Sequence, residues 1–401
     1  MPRGWIAALA FAVSTAGIAQ TAPSTLAERT NANRYTLAFN DGQLSGPGAE
    51  LLAREIADTQ LFMVGEQHAT ATIAEIETAL HRTAVEAGYG YAALEIGPVT
   101  AIEVERLSRE GPGRLGAWLR EPGHDFAVAF LFWEEELALV EQAVSASPAR
   151  ANAIWGLDQE FVGSLPLLLP RLDALARTPA QRDALAQLRV RSAADPMLLG
   201  SMPVADLEPL RIAFPETDNS EAAALIENLV LSNRIYAPFT GRGGSGYDGN
   251  LARETYMKRN FLRAFAAAEA ADGRPPRVFL KFGANHMMRG FSTTDVPALG
   301  NFVAEWSLVR GFSTTNIFIG CVGGQQNDPR SRENTSCDSS ELPDDSPLRT
   351  QMLPGQLTLF DLRPLRTRLR DVDPLTRRMI LAFDFYLAVR DPRPATPITR
   401  R

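Results

Sequence analysis

Cysteine is nearly absent: Cys321 and Cys337 are the only two in 401 residues. They are not spaced as Cys-x-x-Cys, which excludes a thioredoxin-like redox pair and a paired-thiolate zinc site. No Gly-x-Ser-x-Gly run occurs, so the serine elbow of the α/β hydrolases is missing too. The stretch Gly241-Arg-Gly-Gly-Ser-Gly-Tyr-Asp-Gly249 lacks the Gly-Lys-Ser/Thr ending of a phosphate loop and follows no strand, and reads as a hinge or lid. After Ala19 no apolar run reaches the length of a membrane span. Basic tracts are also lacking. With 40 Lys and Arg against 47 Asp and Glu the formal charge is -7, which disfavours nucleic acid as a partner. The arginines from Arg363 to Arg378 are interrupted by Asp371 and Asp373 and read as a solvated helix face.

What is present at the start resembles a leader. Arg3 precedes the apolar stretch Trp5 to Ile18, and Gly17-Ile18-Ala19 supplies small residues for cleavage after Ala19. The alternative is an uncleaved anchor; no cysteine follows for a lipid. Cys321 and Cys337 flank a polar loop that a disulfide would hold, by ~3 kcal/mol in the chain-entropy model. Such a bond forms outside a reducing cytoplasm. The expectation is therefore a periplasmic or secreted protein whose mature chain has no membrane span.

Residues 20–50 are polar and read as a linker with one strand near Tyr35–Phe39. Apolar runs at 61–64, 91–95, 153–157, 277–282 and 316–321 read as strands, with helical patterns between them. That alternation predicts an α/β domain over 51–320 with a mainly parallel sheet and flanking helices. About 161–250 reads as a helical insertion without strands. Segment 99–145 reads as helical, with an aromatic stripe at Phe126, Phe130 and Trp133. A C-terminal extension, 321–401, carries the cysteine loop and two further strands, at 357–362 and 383–389, and frays after Asp391.

Histidine is scarce as well, at four residues, yet two of them follow strands. Leu61-Phe-Met-Val-Gly-Glu-Gln-His68 and Val278-Phe-Leu-Lys-Phe-Gly-Ala-Asn-His286 each run from a strand through a glycine to an imidazole. In an open parallel sheet the carboxyl ends of strands form the ligand crevice. This predicts a shared crevice for Glu66, His68, Glu95, Asp158, Glu160 and His286. Glu95 ends an apolar strand and is either a ligand or base, or one half of a salt bridge. Lys281 reads either as a partner of Glu95 or Asp158 or as an electrophile for a negative oxygen. Asp158 and Glu160 are either site members or capping and loop residues. Arg253, with Met257 and Asn260 on one helix face, either holds a substrate oxygen or pairs with Glu66. Glu77 could orient His68; His81 and His124 read as surface or loop residues. Without a serine or cysteine nucleophile, the chemistry left is water activated by His and carboxylate, or a metal held by them.

In order along the chain, Gly65-Glu66-x-His68, Glu95, Arg253-Glu254-x-x-Met257-x-x-Asn260 and Gly283-x-x-His286 resemble the superfamily that joins erythromycin esterases, haem-binding ChaN-like lipoproteins and Tiki/TraB proteases, over about residues 55–310. The resemblance implies an α/β fold. In its esterase form His68 would activate water, with Glu66, Glu95 and His286 around it. In its protease form Glu66, His68, Glu95 and His286 would hold a divalent metal. In its ChaN form the crevice would take haem. The reading is an exported hydrolase of a small ester or amide; the rival is a non-enzymatic periplasmic binder of haem or metal.

Overall fold

A computed structural model describes residues 25–217, 220–338 and 342–398. The leader and its cleavage point fall outside these residues. The strands are β1 (Arg34–Asn40), β2 (Gln43–Ser45), β3 (Leu61–Glu66), β4 (Tyr91–Leu94), β5 (Ile154–Gly156), β6 (Val278–Gly283), β7 (Thr314–Val322), β8 (Gln325–Asn327), β9 (Asn334–Ser336), β10 (Leu357–Asp361) and β11 (Phe385–Arg390). Nine form one sheet in the order β2-β1-β10-β11-β7-β3-β6-β4-β5. From β11 to β5 all neighbours are parallel; β10, β1 and β2 complete the sheet antiparallel. The α/β expectation holds.

Every residue of β3 and β6 is buried, as expected of central strands covered on both faces. Side chains alternate between faces. Phe62 and Val64 join Phe279 in one core cluster with Ile73 and Ile76 of the helix Ala71–Glu86. Leu61 and Met63 join Leu280 and Phe282 in the other, against the helix Gly246–Asp272. The helical insertion has its own core, around Leu168, Leu185, Leu199 and Leu229. The helix that carries Arg253 begins at Gly246.

Five expectations change. The presumed linker holds a helix, Leu26–Ala32, and then β1 and β2 of the sheet. The C-terminal extension is no appendage, because β10 and β11 sit between β1 and β7. The aromatic stripe is not helical. Residues 120–135 are turns and bends between helices Arg114–Leu119 and Glu136–Ala146, and Phe130 has a left-handed φ of 65°. The tail after Asp391 is pinned: Ala71 N donates to Arg393 O, Ala395 N to Ala69 O and Ile398 N to Phe132 O. It thereby ties together the turns that follow β3 and precede Glu136. The arginine run is also less solvated than expected, since Arg363 pairs with Asp361 and Glu55, and Arg366 with Asp384.

Cys321, near the end of β7, is bonded to Cys337 with Cα atoms 6.1 Å apart, enclosing the β8-β9 hairpin. Among the described residues no helix is long and apolar enough to cross a membrane.

Candidate active site

Strand order assembles the site. β6 lies between β3 and β4, with Glu66 level with Gly283 and Leu94 level with Lys281. The turn after β6, which carries His286, therefore emerges between the turns carrying His68 and Glu95. β5, beside β4, brings Asp158 to the far side of Glu95.

Glu95 is the common acceptor. Its Oε2 accepts from Gly283 N at 2.7 Å and lies 3.7 Å from His68 Nε2. Its Oε1 accepts from Arg253 at 2.7 Å and lies 3.3 Å from His286 Nε2. Each histidine turns its other nitrogen to a second carboxylate. His68 Nδ1 is 2.9 Å from Glu66 Oε1, and His286 Nδ1 is 2.6 Å from Glu254 Oε1. Glu254 is fixed in turn by Leu299 N at 2.7 Å. Arg253 Nε donates to Asp158 at 3.0 Å, so its guanidinium is held between Asp158 and Glu95, not by Glu66.

Beneath Glu66 lies a second buried cluster. The Lys281 ammonium is 2.6 Å from Glu66, 2.7 Å from Glu136 and 3.4 Å from Glu77. Both sequence-based partners for Lys281, Glu95 and Asp158, are therefore replaced. Its alternation with Phe279 sends it to the face of the helix Ala71–Glu86, away from the crevice. Glu77 belongs to this cluster and does not touch His68.

Charge states follow from these contacts. Burial pushes Glu66 up, but Lys281 and His68 outweigh it and hold the carboxyl at about 2. Burial pushes Glu95 up too, yet His286, Arg253 and His68 keep it well below the usual range. Burial and Arg253 lower His286, but Glu95 and Glu254 prevail and raise it to about 10. Burial lowers His68 and Glu66 raises it, leaving it above its ordinary value. That rise is tempered by solvent, because its side chain is 30% exposed. Burial raises Glu77 and Glu136, which share a single ammonium with Glu66.

Glu160, His81 and His124 lie elsewhere. Glu160 accepts from Val99 N at 2.9 Å and Thr100 Oγ1 at 2.6 Å, capping the helix Pro98–Arg109. It is fully buried and raised by that burial to about 7. His81 is no surface residue: it packs edge-on against Phe279, and burial lowers it to about 4. His124 does lie in a turn, stacked on Trp118.

Three participants were not anticipated in their roles. Phe130 stacks on His68 with ring centroids 4.3 Å apart. Its left-handed backbone, like that of Ala69 at φ 72°, costs of order 1–3 kcal/mol and is held by the tail that binds both turns. Glu136 and Glu254 complete the carboxylate set. Alternation was the available signal for the cluster: Phe62, Val64 and Glu66 share a face, as do Phe279 and Lys281.

Gly283 is constrained by space. A Cβ there would lie 2.5 Å from His68 Nε2 and 3.4 Å from Glu95 Oε2. Gly283→Ala is expected to displace the imidazole. The expected result is a loss of turnover with a thermal midpoint near that of the parent; unchanged turnover would contradict the placement of His68.

The donor arrangement does not fit the implied metal. Among the described residues, the trio with donor atoms within 4.8 Å of one another is Glu66, Glu77 and Glu136, and Lys281 already fills it. Glu95, the other bridging carboxylate, is occupied by the Arg253 cation. Haem fits poorly as well. The crevice holds about 330 Å³, near the lower end for ligand pockets, and Glu66 and Glu95 line it against a ring that bears two carboxylates itself.

No family model matches the chain, and no curated protein does. Solved structures do. A Bacillus cereus protein aligns over 94% of this chain and all of its own, with a TM-score of 0.60 at 14% identity. A succinoglycan biosynthesis protein aligns over 92% of this chain and 97% of its own, with a TM-score of 0.58 at 14% identity. A histidine-to-asparagine variant of the erythromycin esterase EreC, in its open conformation, covers 86% of this chain and 93% of its own, with a TM-score of 0.58 at 15% identity. Identities this low speak for architecture alone, and in architecture the chain shares the fold of the erythromycin esterase group.

Proposed function

We propose that the protein hydrolyses a small ester or amide with water activated by His68. The observation that carries this reading is the posture of His68. Its Nδ1 rests on Glu66, its Nε2 lies beyond hydrogen-bond reach of Glu95 at 3.7 Å, and the residue lines the crevice with His286 and Arg253. Glu66 orients the ring and favours the imidazolium once a proton is taken, while Lys281 keeps Glu66 ionised. His68 Nε2 removes a proton from water as the hydroxyl oxygen attacks the carbonyl carbon. The carbonyl oxygen becomes negative beside the positive charge of His286 and beside Arg253, whose Nε and Nη2 hold Asp158 and Glu95 while Nη1 is left to donate to it. Collapse expels the alcohol or amine, which takes the proton back from His68. The products are a carboxylic acid and that alcohol or amine. Stacking of Phe130 on His68 supports the cationic ring.

Two pH limbs follow. His68 must be neutral to act as base, and its surroundings favour the protonated form, so kcat/KM rises with pH through a value above 6.5. His286 must keep its proton, so activity falls as pH passes about 10. The same raised value means that His286 stabilises the fold below its ordinary 6.5, and that this contribution disappears as pH rises through about 10. A pH–rate profile on a pH-insensitive ester tests the sign. A rate highest at acidic pH would rule out His68 as base.

The reading includes export, supported by the disulfide and the leader-like start. Protein recovered from the periplasm or medium is expected to begin at Gln20 and to contain no free thiol. Intact mass before and after alkylation decides both; a retained leader or two alkylated cysteines would contradict it. The functional test is turnover of an ester and amide panel by this material. Absence of turnover, with a Soret band or a stoichiometric divalent ion that His68→Ala loses, would instead support the binding protein.

A further inference from the structure

The crevice has two unlike ends. Its floor is the charged network of Glu66, His68, Glu95 and His286. Its apolar lining comes mostly from the C-terminal part of the chain. Phe318 and Phe383 stack there, and the helix Pro374–Ala382 adds Leu375 and Met379. Between those two, at the i, i+3, i+4 spacing of one helix face, stands Arg378.

The cations lining the crevice differ in one respect. Arg253 is committed to Asp158 and Glu95, His286 to Glu254 and Glu95, and His68 to Glu66. Other arginines of this region are paired as well, including Arg289 and Arg366 with Asp384. Arg378 is exposed, and among the described residues nothing pairs with it. Glu66 and Glu95 are balanced by the cations they bind, so the charge that an entering anion meets uncommitted is Arg378. An apolar segment gains by lying on the apolar lining.

We propose that Arg378 anchors an anionic group of the substrate, so that the substrate is an ester or amide with an apolar arm ending in a carboxylate or phosphate. This rests on the hydrolase reading and adds its direction. The anion stays on Arg378, the arm lies along Leu375 and Met379, and the carbonyl reaches His68. A fixed register of this kind converts binding at Arg378 into orientation at the reacting atoms.

The experiment uses acyl esters of one arm length ending in carboxylate, phosphate or a neutral methyl ether. A parallel set replaces the scissile ester by an inert ether. kcat/KM is measured for the first set and Kd for the second, in the parent protein, Arg378→Gln and Arg377→Gln. Arg377 is an exposed neighbour that does not line the crevice. The parent is expected to favour an anionic terminus by about 10-fold in both measurements, as a charge-assisted contact allows. Arg378→Gln should abolish the preference and Arg377→Gln should keep it. The carboxylate and phosphate members show which anion is taken. No preference in the parent, or a preference that survives in Arg378→Gln, overturns the proposal. If the inert anions bind through Arg378 but no ester turns over, the anion site stands and the hydrolase reading fails. If esters turn over without regard to charge, the hydrolase reading stands and the anion site fails.

Discussion

His68→Ala is expected to lower kcat/KM by about 10²–10⁴-fold, the usual contribution of a general base. The fold should survive, because His68 lies in a turn with its side chain 30% exposed. His286→Ala is expected to cost a comparable amount, since it removes the positive charge beside the same carbonyl oxygen. Both histidines meet on Glu95, at 3.7 Å and 3.3 Å. The double variant should therefore be little worse than either single one, as residues acting as a unit are not additive. Losses that multiply would mean two independent sites. His81→Ala cannot serve as the silent control, because His81 fills space against Phe279 in the core. His124, in its turn, is the better choice.

Lys281→Met is expected to give the largest loss of stability. Three carboxylates, Glu66, Glu77 and Glu136, converge on this ammonium, and all four side chains are buried. Removing one partner of a buried ion pair typically costs about 3–5 kcal/mol, because the remaining charge stays in the interior uncompensated. The sign with pH is fixed. Burial favours the neutral acids, so lowering the pH protonates the stranded carboxylates and narrows the gap between variant and parent. Urea midpoints at neutral and mildly acidic pH measure this. A difference that widens on acidification would contradict the assignment of Lys281 as counter-ion to ionised Glu66.

Much of this arrangement can be read along the chain, and the unread parts have identifiable causes. Leu61–Glu66 and Val278–Gly283 announce themselves because central parallel strands need unbroken apolar runs, which makes Glu66 and Lys281 conspicuous within them. The adjacency of His68, Glu95 and His286 is not local, since it depends on β6 inserting between β3 and β4. Asp158 and Glu160 are two residues apart, and no strand or helix fixes their directions, so periodicity could not foretell that one meets Arg253 and the other the Pro98 helix. Phe126, Phe130 and Trp133 have helical spacing, yet the chain enters a left-handed conformation at Phe130. That choice is imposed by packing on His68 and by the C-terminal tail, contacts far beyond any local window of sequence. The polarity of residues 20–50 suggested a linker because β1 and β2 finish the sheet at one edge, where exposed positions are ordinary.

The central claim is that water, activated by His68, attacks the substrate directly. Single-turnover hydrolysis of an accepted ester in water enriched in the heavy oxygen isotope tests this most closely, with enzyme in excess and both products and protein weighed afterwards. Direct attack places one heavy oxygen in the carboxylic acid and leaves the protein unlabelled. An unlabelled acid together with heavy oxygen in Glu66 or Glu95 would contradict it, because the carboxylate would then have been the nucleophile.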